Sequence, residues 1–242
     1  MNINRQLAEI ASWRIASELC RCFPDTFSLI QTHPGGGMYD CLSLYIEGNS
    51  HFFADFNRVG SGFSASHEFE RGDIGGRLRE SGGGIPLWEM MVENENPKDN
   101  LAQVCRRLNL EMPSKRPPSN PKIIVYRFIA DFLSHASFGK DLWTARGGYF
   151  DSSGMSECGP VKDFNKFRYA AERVRKHLPD DADTPENRFW FLHKNDEPVL
   201  CLETTGMAWT LDHKQYNLYK IYKNNGRKIW PMILEVAGHL LP

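Results

Sequence analysis

Apolar positions recur every three or four residues from the start of the chain: Ile3, Leu7, Ile10, Ala11, Ile15, Leu19 and Cys22. This spacing predicts an amphipathic helix over residues 4–22, ended before Pro24 because the residue ahead of a proline avoids helical geometry. The period then falls to two. Thr26–Thr32 reads as a strand, and His33-Pro34-Gly35-Gly36-Gly37 as a turn in which glycine supplies positive φ. Met38–Ile46 alternates, with Leu42, Leu44 and Ile46 on one face and Cys41, Ser43 and Tyr45 on the other. After a turn at Glu47–Ser50, His51–Phe56 predicts the third strand of a meander. Residues 57–86 are rich in glycine and read as a long connection; Glu89–Glu93 and a helix over Lys98–Leu108 follow.

A similar order returns further along. Asn120 suits a helix N-cap and Pro121 its first turn, with Val125, Phe128, Ile129, Phe132, Leu133 and Ala136 as the buried stripe and Gly139 beyond the end. A strand-turn region over Leu142–Phe150 precedes a helix over 161–178, whose inner face is Phe164, Phe167, Ala171, Val174 and Leu178. Strands are predicted at Arg188–His193, Val199–Thr205 and Met207–Leu211, with Lys194–Pro198 joining the first two. Tyr216–Lys223 fits strand and helix equally, and Pro231 opens a terminal helix with Met232, Ile233, Val236, Ala237 and Leu240 inward.

Between these halves lies MPSKRPPSN, residues 112–120, too rich in proline to continue a helix or a central strand. The organisation predicted is a unit over 1–112, a Pro-rich linker over 113–119 and a unit over 120–242. The fold class is α+β: two tandem units, each an antiparallel meander packed against flanking helices.

Composition narrows the function classes. The 242 residues are 41% hydrophobic and 24% charged, with 29 basic against 30 acidic side chains, which is the composition of a globular chain. Neither half is a dedicated polyanion binder, at 12 basic and 15 acidic residues through position 118 and 17 and 15 after it. Arg5, Glu9 and Arg14 interrupt the N-terminal apolar run, and no window approaches the roughly 18 apolar residues of a spanning helix, so no membrane association is expected. Cys20, Cys22, Cys41, Cys105, Cys158 and Cys201 contain no C-x-x-C pair, as in a reduced cytoplasmic thiol set without structural zinc.

Candidate chemistry is sparse. The glycine runs at 35–37 and 82–84 lack the Lys-Ser/Thr of a phosphate loop, and no G-x-S-x-G elbow is present. Lys162, Lys166, Arg173 and Lys176 form a basic helix face able to meet phosphates, diluted by Asp163 and Glu172. The sharpest enzymatic pattern is a Mg²⁺-dependent nuclease core, in which one strand carries Asp and the next Glu-x-Lys. Here Glu203 is followed by Thr205 in place of lysine, and Asp40 and Asp55 by Asn57, so both copies depart from the pattern. No catalytic residue, metal or cofactor is singled out.

Three segments carry a family resemblance. WRIASELCRCFPDTFSLIQTHPGGGMYDCLSL (13–44), DLWTARGGYFDSSG (141–154) and FWFLHKNDEPVLCLETTG (189–206) resemble the TY-Chap group, prokaryotic domains likened to type III secretion chaperones and YbjN-like proteins. The resemblance implies a non-catalytic module that binds a peptide or protein, often within bacterial conflict and defence systems. An antiparallel sheet with one face on a helix leaves the other face for an extended segment, and the equal alternative is that the chain's own helices or the other unit cover both faces. Residues suited to that face are Tyr39, Cys41, Ser43 and Tyr45 in the first unit, and Trp190, Val199 and Cys201 in the second.

Overall fold

The computed structural model describes residues 3–32, 41–46, 52–57, 63–65, 102, 105, 110–115, 117–136, 139–148, 150–151, 154–155, 161–175 and 189–242. Its contacts divide the chain into two compact units, Met1–Pro118 and Ser119–Pro242, and each builds its own antiparallel sheet. The fold is α+β.

In the first unit, helix α1 (Ile3–Cys22) leads into a four-stranded sheet ordered β1 (Phe27–Thr32), β2 (Cys41–Ile46), β3 (Phe52–Asn57) and β4 (Phe63–Ala65). The last strand falls inside the glycine-rich stretch read as a connection; its Ala65 and Phe63 pair with Ala54 and Phe56 of β3. The core holds Trp13, Leu19, Phe27, Leu29 and Leu42, all fully buried. α1 is buried over a wider arc than its apolar stripe, since Gln6, Glu9, Ser12 and Ser17 are buried too. The carboxylate of Glu9 is tolerated there because Trp13 Nε1–H donates to its Oε1 at 3.1 Å. Of the helix expected over Lys98–Leu108, Ala102 and Cys105 are described, and both are helical. The expected turn at 33–37 and the segment Glu89–Glu93 lie outside the described residues.

In the second unit, α2 (Pro121–Ala136) starts as its sequence dictates: Ile123 N–H donates to Asn120 Oδ1 at 2.9 Å, capping the first turn. A five-stranded sheet follows, ordered β11-β10-β9-β8-β5. Its strands are β5 (Trp143–Gly148), β8 (Phe189–Lys194), β9 (Glu197–Glu203), β10 (Met207–Thr210) and β11 (Gln215–Asn217). A small hairpin, β6 (Phe150–Asp151) and β7 (Gly154–Met155), precedes helices α3 (Val161–Lys166) and α4 (Arg168–Arg175). The single helix expected over 161–178 is thus two, although Phe167 N–H still donates to Asp163 O at 3.0 Å and Ala171 N–H to Phe167 O at 3.1 Å, carrying the helical path across the junction. Tyr216–Lys223 is both of its alternatives in succession: β11, then α5 (Leu218–Asn224), capped by Asn217, whose side chain accepts from Lys220 N–H. Helix α6 (Ile229–Ala237) and a 3₁₀ turn (Gly238–Leu240) end the unit.

Both faces of this sheet are covered. Register places Trp190, Leu202 and Ala208 on one face, where α2 packs with Tyr126 edge-on to Trp190 at 6.4 Å and Phe132 edge-on to Trp143 at 4.9 Å. Phe189, Phe191, Cys201 and Trp209 form the opposite face and cluster with Phe164, Phe167, Ala170, Ala171 and Val174 of the α3–α4 region. No helix among the described residues is long and apolar enough to cross a membrane.

Candidate functional site

Alternation along β8 and β9 separates the residues that the sequence grouped together. Trp190 stands opposite Leu202 on the α2 face, whereas Cys201 stands opposite Phe191 on the α3–α4 face. Both are fully buried, so they line two cores and not one open surface. The sequence leaves open whether both faces are covered; here a second layer of helices covers them, which the continuous apolar run FWFL fits. Burial also pushes the Cys201 thiol well above its ordinary range, with Glu203 and Asp163 adding to the rise, so it stays protonated and unreactive.

Val199 is different. Leu192 pairs with Leu200 and His193 with Pro198, which leaves Val199 as the extra residue of a β-bulge, half-buried at the foot of the sheet. It lines a cavity of about 370 Å³ together with Thr210, Leu211, Asp212, Lys214, Tyr216, His239 and Leu240. Thr210 ends β10, and His213 in the following turn takes a left-handed φ of 63°. The Thr210 hydroxyl donates to Asp212, and Lys214 Nζ lies 2.8 Å from Asp212 Oδ2. Lys214 and then Thr210 hold the Asp212 carboxyl down at about 2, and Asp212 in turn lifts the Lys214 ammonium, so the rim keeps a pair of opposite charges. Leu211 beside it is 47% exposed.

In the first unit, β2 pairs on one side with β1 and on the other with β3, so its backbone groups are used and a ligand there must be held by side chains. Leu42 is buried in the core, and Ser28, the register partner of Tyr45 on the other face, is also fully buried. Tyr39 and Asp40 lie outside the described residues, as do the side chains of Cys41, Ser43, Tyr45 and Asp55.

Of the nuclease candidates, Glu203 is described: it is 5% exposed, opposite Phe189 and Met207, on the covered α3–α4 face. Among the described residues no group of three or more His, Cys, Asp or Glu is placed to hold a metal ion. The basic helix is engaged where it is described: Lys166 pairs with Glu197, and Arg173 Nη1 donates to Gln215 Oε1 at 2.8 Å. The Lys162 side chain and Lys176 lie outside the described residues.

One polar cluster had no signal in the sequence. His193 Nε2 is 2.7 Å from Asp163 Oδ2, both side chains are buried, and His193 Nδ1 lies 3.0 Å from Phe191 O. The two residues are thirty positions apart and meet only because α3 docks on β8.

No curated protein and no solved structure matches the chain. The sequence model of T3SS (YopN, CesT) and YbjN peptide-binding chaperone 2, TY-Chap2, matches residues 10–242, well beyond the three segments that carry the resemblance. With that match spanning both sheets, the chain belongs to the TY-Chap2 family of peptide-binding chaperones.

Proposed function

We propose that the chain binds a segment of a partner protein and performs no chemistry on it. The observation that carries this reading is the cavity at the foot of the second sheet, where Val199, Leu211 and Leu240 offer apolar contact beside the Asp212–Lys214 pair. Its volume of about 370 Å³ lies at the small end of ligand-binding pockets, room for one or two side chains of a bound peptide. Fluorescence polarisation against a peptide library tests it. Leu211→Asp, at an exposed position, is expected to weaken binding by about tenfold or more with an unchanged melt; full affinity in that variant removes the cavity from the reading.

The face of β2 that carries Tyr39, Cys41, Ser43 and Tyr45 is proposed as a second contact. Replacing both tyrosines by Ser is expected to lower affinity more than stability. A loss of stability like that of Leu42→Ala, with binding intact, would make this face core instead. The proposed setting is a bacterial defence system in the cytoplasm; the family resemblance supports it, and the gene's neighbours test it. The alternative of Mg²⁺-dependent cleavage, on Asp40, Asp55 and Glu203, would replace the binding reading if the chain cut DNA or RNA and Glu203→Ala abolished the cut.

A further inference from the structure

The two faces of the second sheet are covered in different ways. α2 has sixteen residues and meets its face through Tyr126, Phe132 and other apolar side chains. α3 and α4 run on as one helical path over 161–175, at the margin of what holds a helix in water without the sheet beneath it. Their interface also buries the Asp163–His193 pair, Glu203, and Trp209 Nε1, which has no hydrogen-bond partner among the described residues. Ionisable and unsatisfied groups in an interface cost desolvation that apolar contacts do not. At the rim the attachments include Lys166 to Glu197, Arg173 to Gln215 and Tyr169 edge-on to His213 at 5.7 Å, exposed contacts of small worth.

The docking is nevertheless shaped for aromatic rings. A Cβ on Gly148 would lie 2.8 Å from the Phe164 ring, so the glycine leaves a slot that the ring fills. Phe164 stands edge-on to Phe189 at 5.7 Å and to Phe191 at 5.1 Å, and Phe167 lies 5.9 Å from Phe191. Ala170, Ala171 and Val174 complete the stripe, and Asp163, immediately before the first ring, meets His193.

We propose that α3 and α4 are a displaceable cover, and that the face beneath binds an amphipathic partner helix repeating their pattern. That pattern is an acidic residue followed at once by an aromatic, a second aromatic three positions later, then two small residues and a valine at the spacing of Ala170, Ala171 and Val174. The chain carries its own competitor for that helix, so affinity for the partner is set by how often the cover opens. This surface is separate from the cavity at the foot of the sheet and does not depend on it.

The test uses the full chain and a fluorescein-labelled synthetic peptide of residues 161–175, VKDFNKFRYAAERVR. In the unaltered chain, amides of α3 and α4 are expected to exchange hydrogen at least about tenfold faster than those of α2 and β8. In Phe167→Ala the cover loses a ring while the slot for the added peptide is intact, and the apparent Kd is expected to fall by about tenfold. The peptide with both phenylalanines replaced by Ala is expected not to bind, and Leu211→Asp to leave binding unchanged, which separates this outcome from failure of the cavity. Exchange of α3 and α4 as slow as that of α2 and β8 overturns the proposal, whether or not Phe167→Ala folds. So does a peptide that binds the folded variant no better than the unaltered chain.

Discussion

Gly148 shows how one missing methyl shapes a core. Phe164 and Phe191 both stand within 3.0 Å of where its Cβ would be, and both rings are buried, so neither has room to yield. Gly148→Ala is therefore expected to cost about 1–3 kcal/mol in a denaturant melt. Asp212 and Lys214 illustrate the opposite, exposed case. The Asp212 carboxyl is depressed to about 2 in the folded chain, so what its partners contribute is present above the ordinary carboxylate range and lost as pH falls through about 2. Carbon-detected NMR should find that midpoint, and Lys214→Ala should move it up. At this scale the sequence was least informative about pairs: nothing in the spacing of Asp163 and His193 announces a 2.7 Å contact, because it depends on where a helix docks. Trp190 and Cys201 were visible as apolar but not as belonging to opposite faces, since alternation gives parity and says nothing of what covers each side.

Elements were more legible, and their ends less so. α1 and α2 match the extent that the apolar period predicts because both are long enough for it to repeat, although α1 is buried over a wider arc than its stripe. The β8–β9 connection is shorter than its composition suggests. Pro198 and Glu197 look like turn residues, yet both are paired, with the proline placed beside the bulge at Val199 where a missing N–H is tolerated. The turn itself is Asn195–Asp196, each with positive φ, 53° and 64°, the primed hairpin geometry that matches strand twist. Asn195 also accepts from Leu142 N–H at 2.9 Å and donates to Asp141 Oδ1 at 2.8 Å, tying the start of β5 to the hairpin. Asn195→Ala should lose both contacts and strain the turn, at a cost of about 1–3 kcal/mol. Asp196→Gly, which suits the same φ and gives up only the exposed contact to Arg146, should be neutral or slightly stabilising. Thermal melts of the two variants separate the turn's geometry from its side-chain anchors; equal losses in both would mean that the ion pair matters more than the backbone.

For the whole molecule, the Pro-rich stretch is the feature on which the tandem reading depends. Glu111, Met112, Ser114, Lys115 and Pro118 are exposed, and the described residues of 110–120 are in neither helix nor strand. An exposed to half-buried segment without ladder bonds is where a protease gains access before any global unfolding. Lys115 gives trypsin a site there, while the bond after Arg116 is protected by Pro117. Limited trypsin digestion is therefore expected to yield fragments 1–115 and 116–242 first, seen by mass spectrometry. Expressed apart, chains 1–118 and 119–242 should each show the far-ultraviolet signature of mixed helix and strand, and each should melt cooperatively, since each unit has its own sheet and its own buried aromatic residues. Cleavage confined to 57–86, with two halves that stay soluble only when mixed, would mean that the sheets share one cooperative fold and that the prolines bridge it without dividing it.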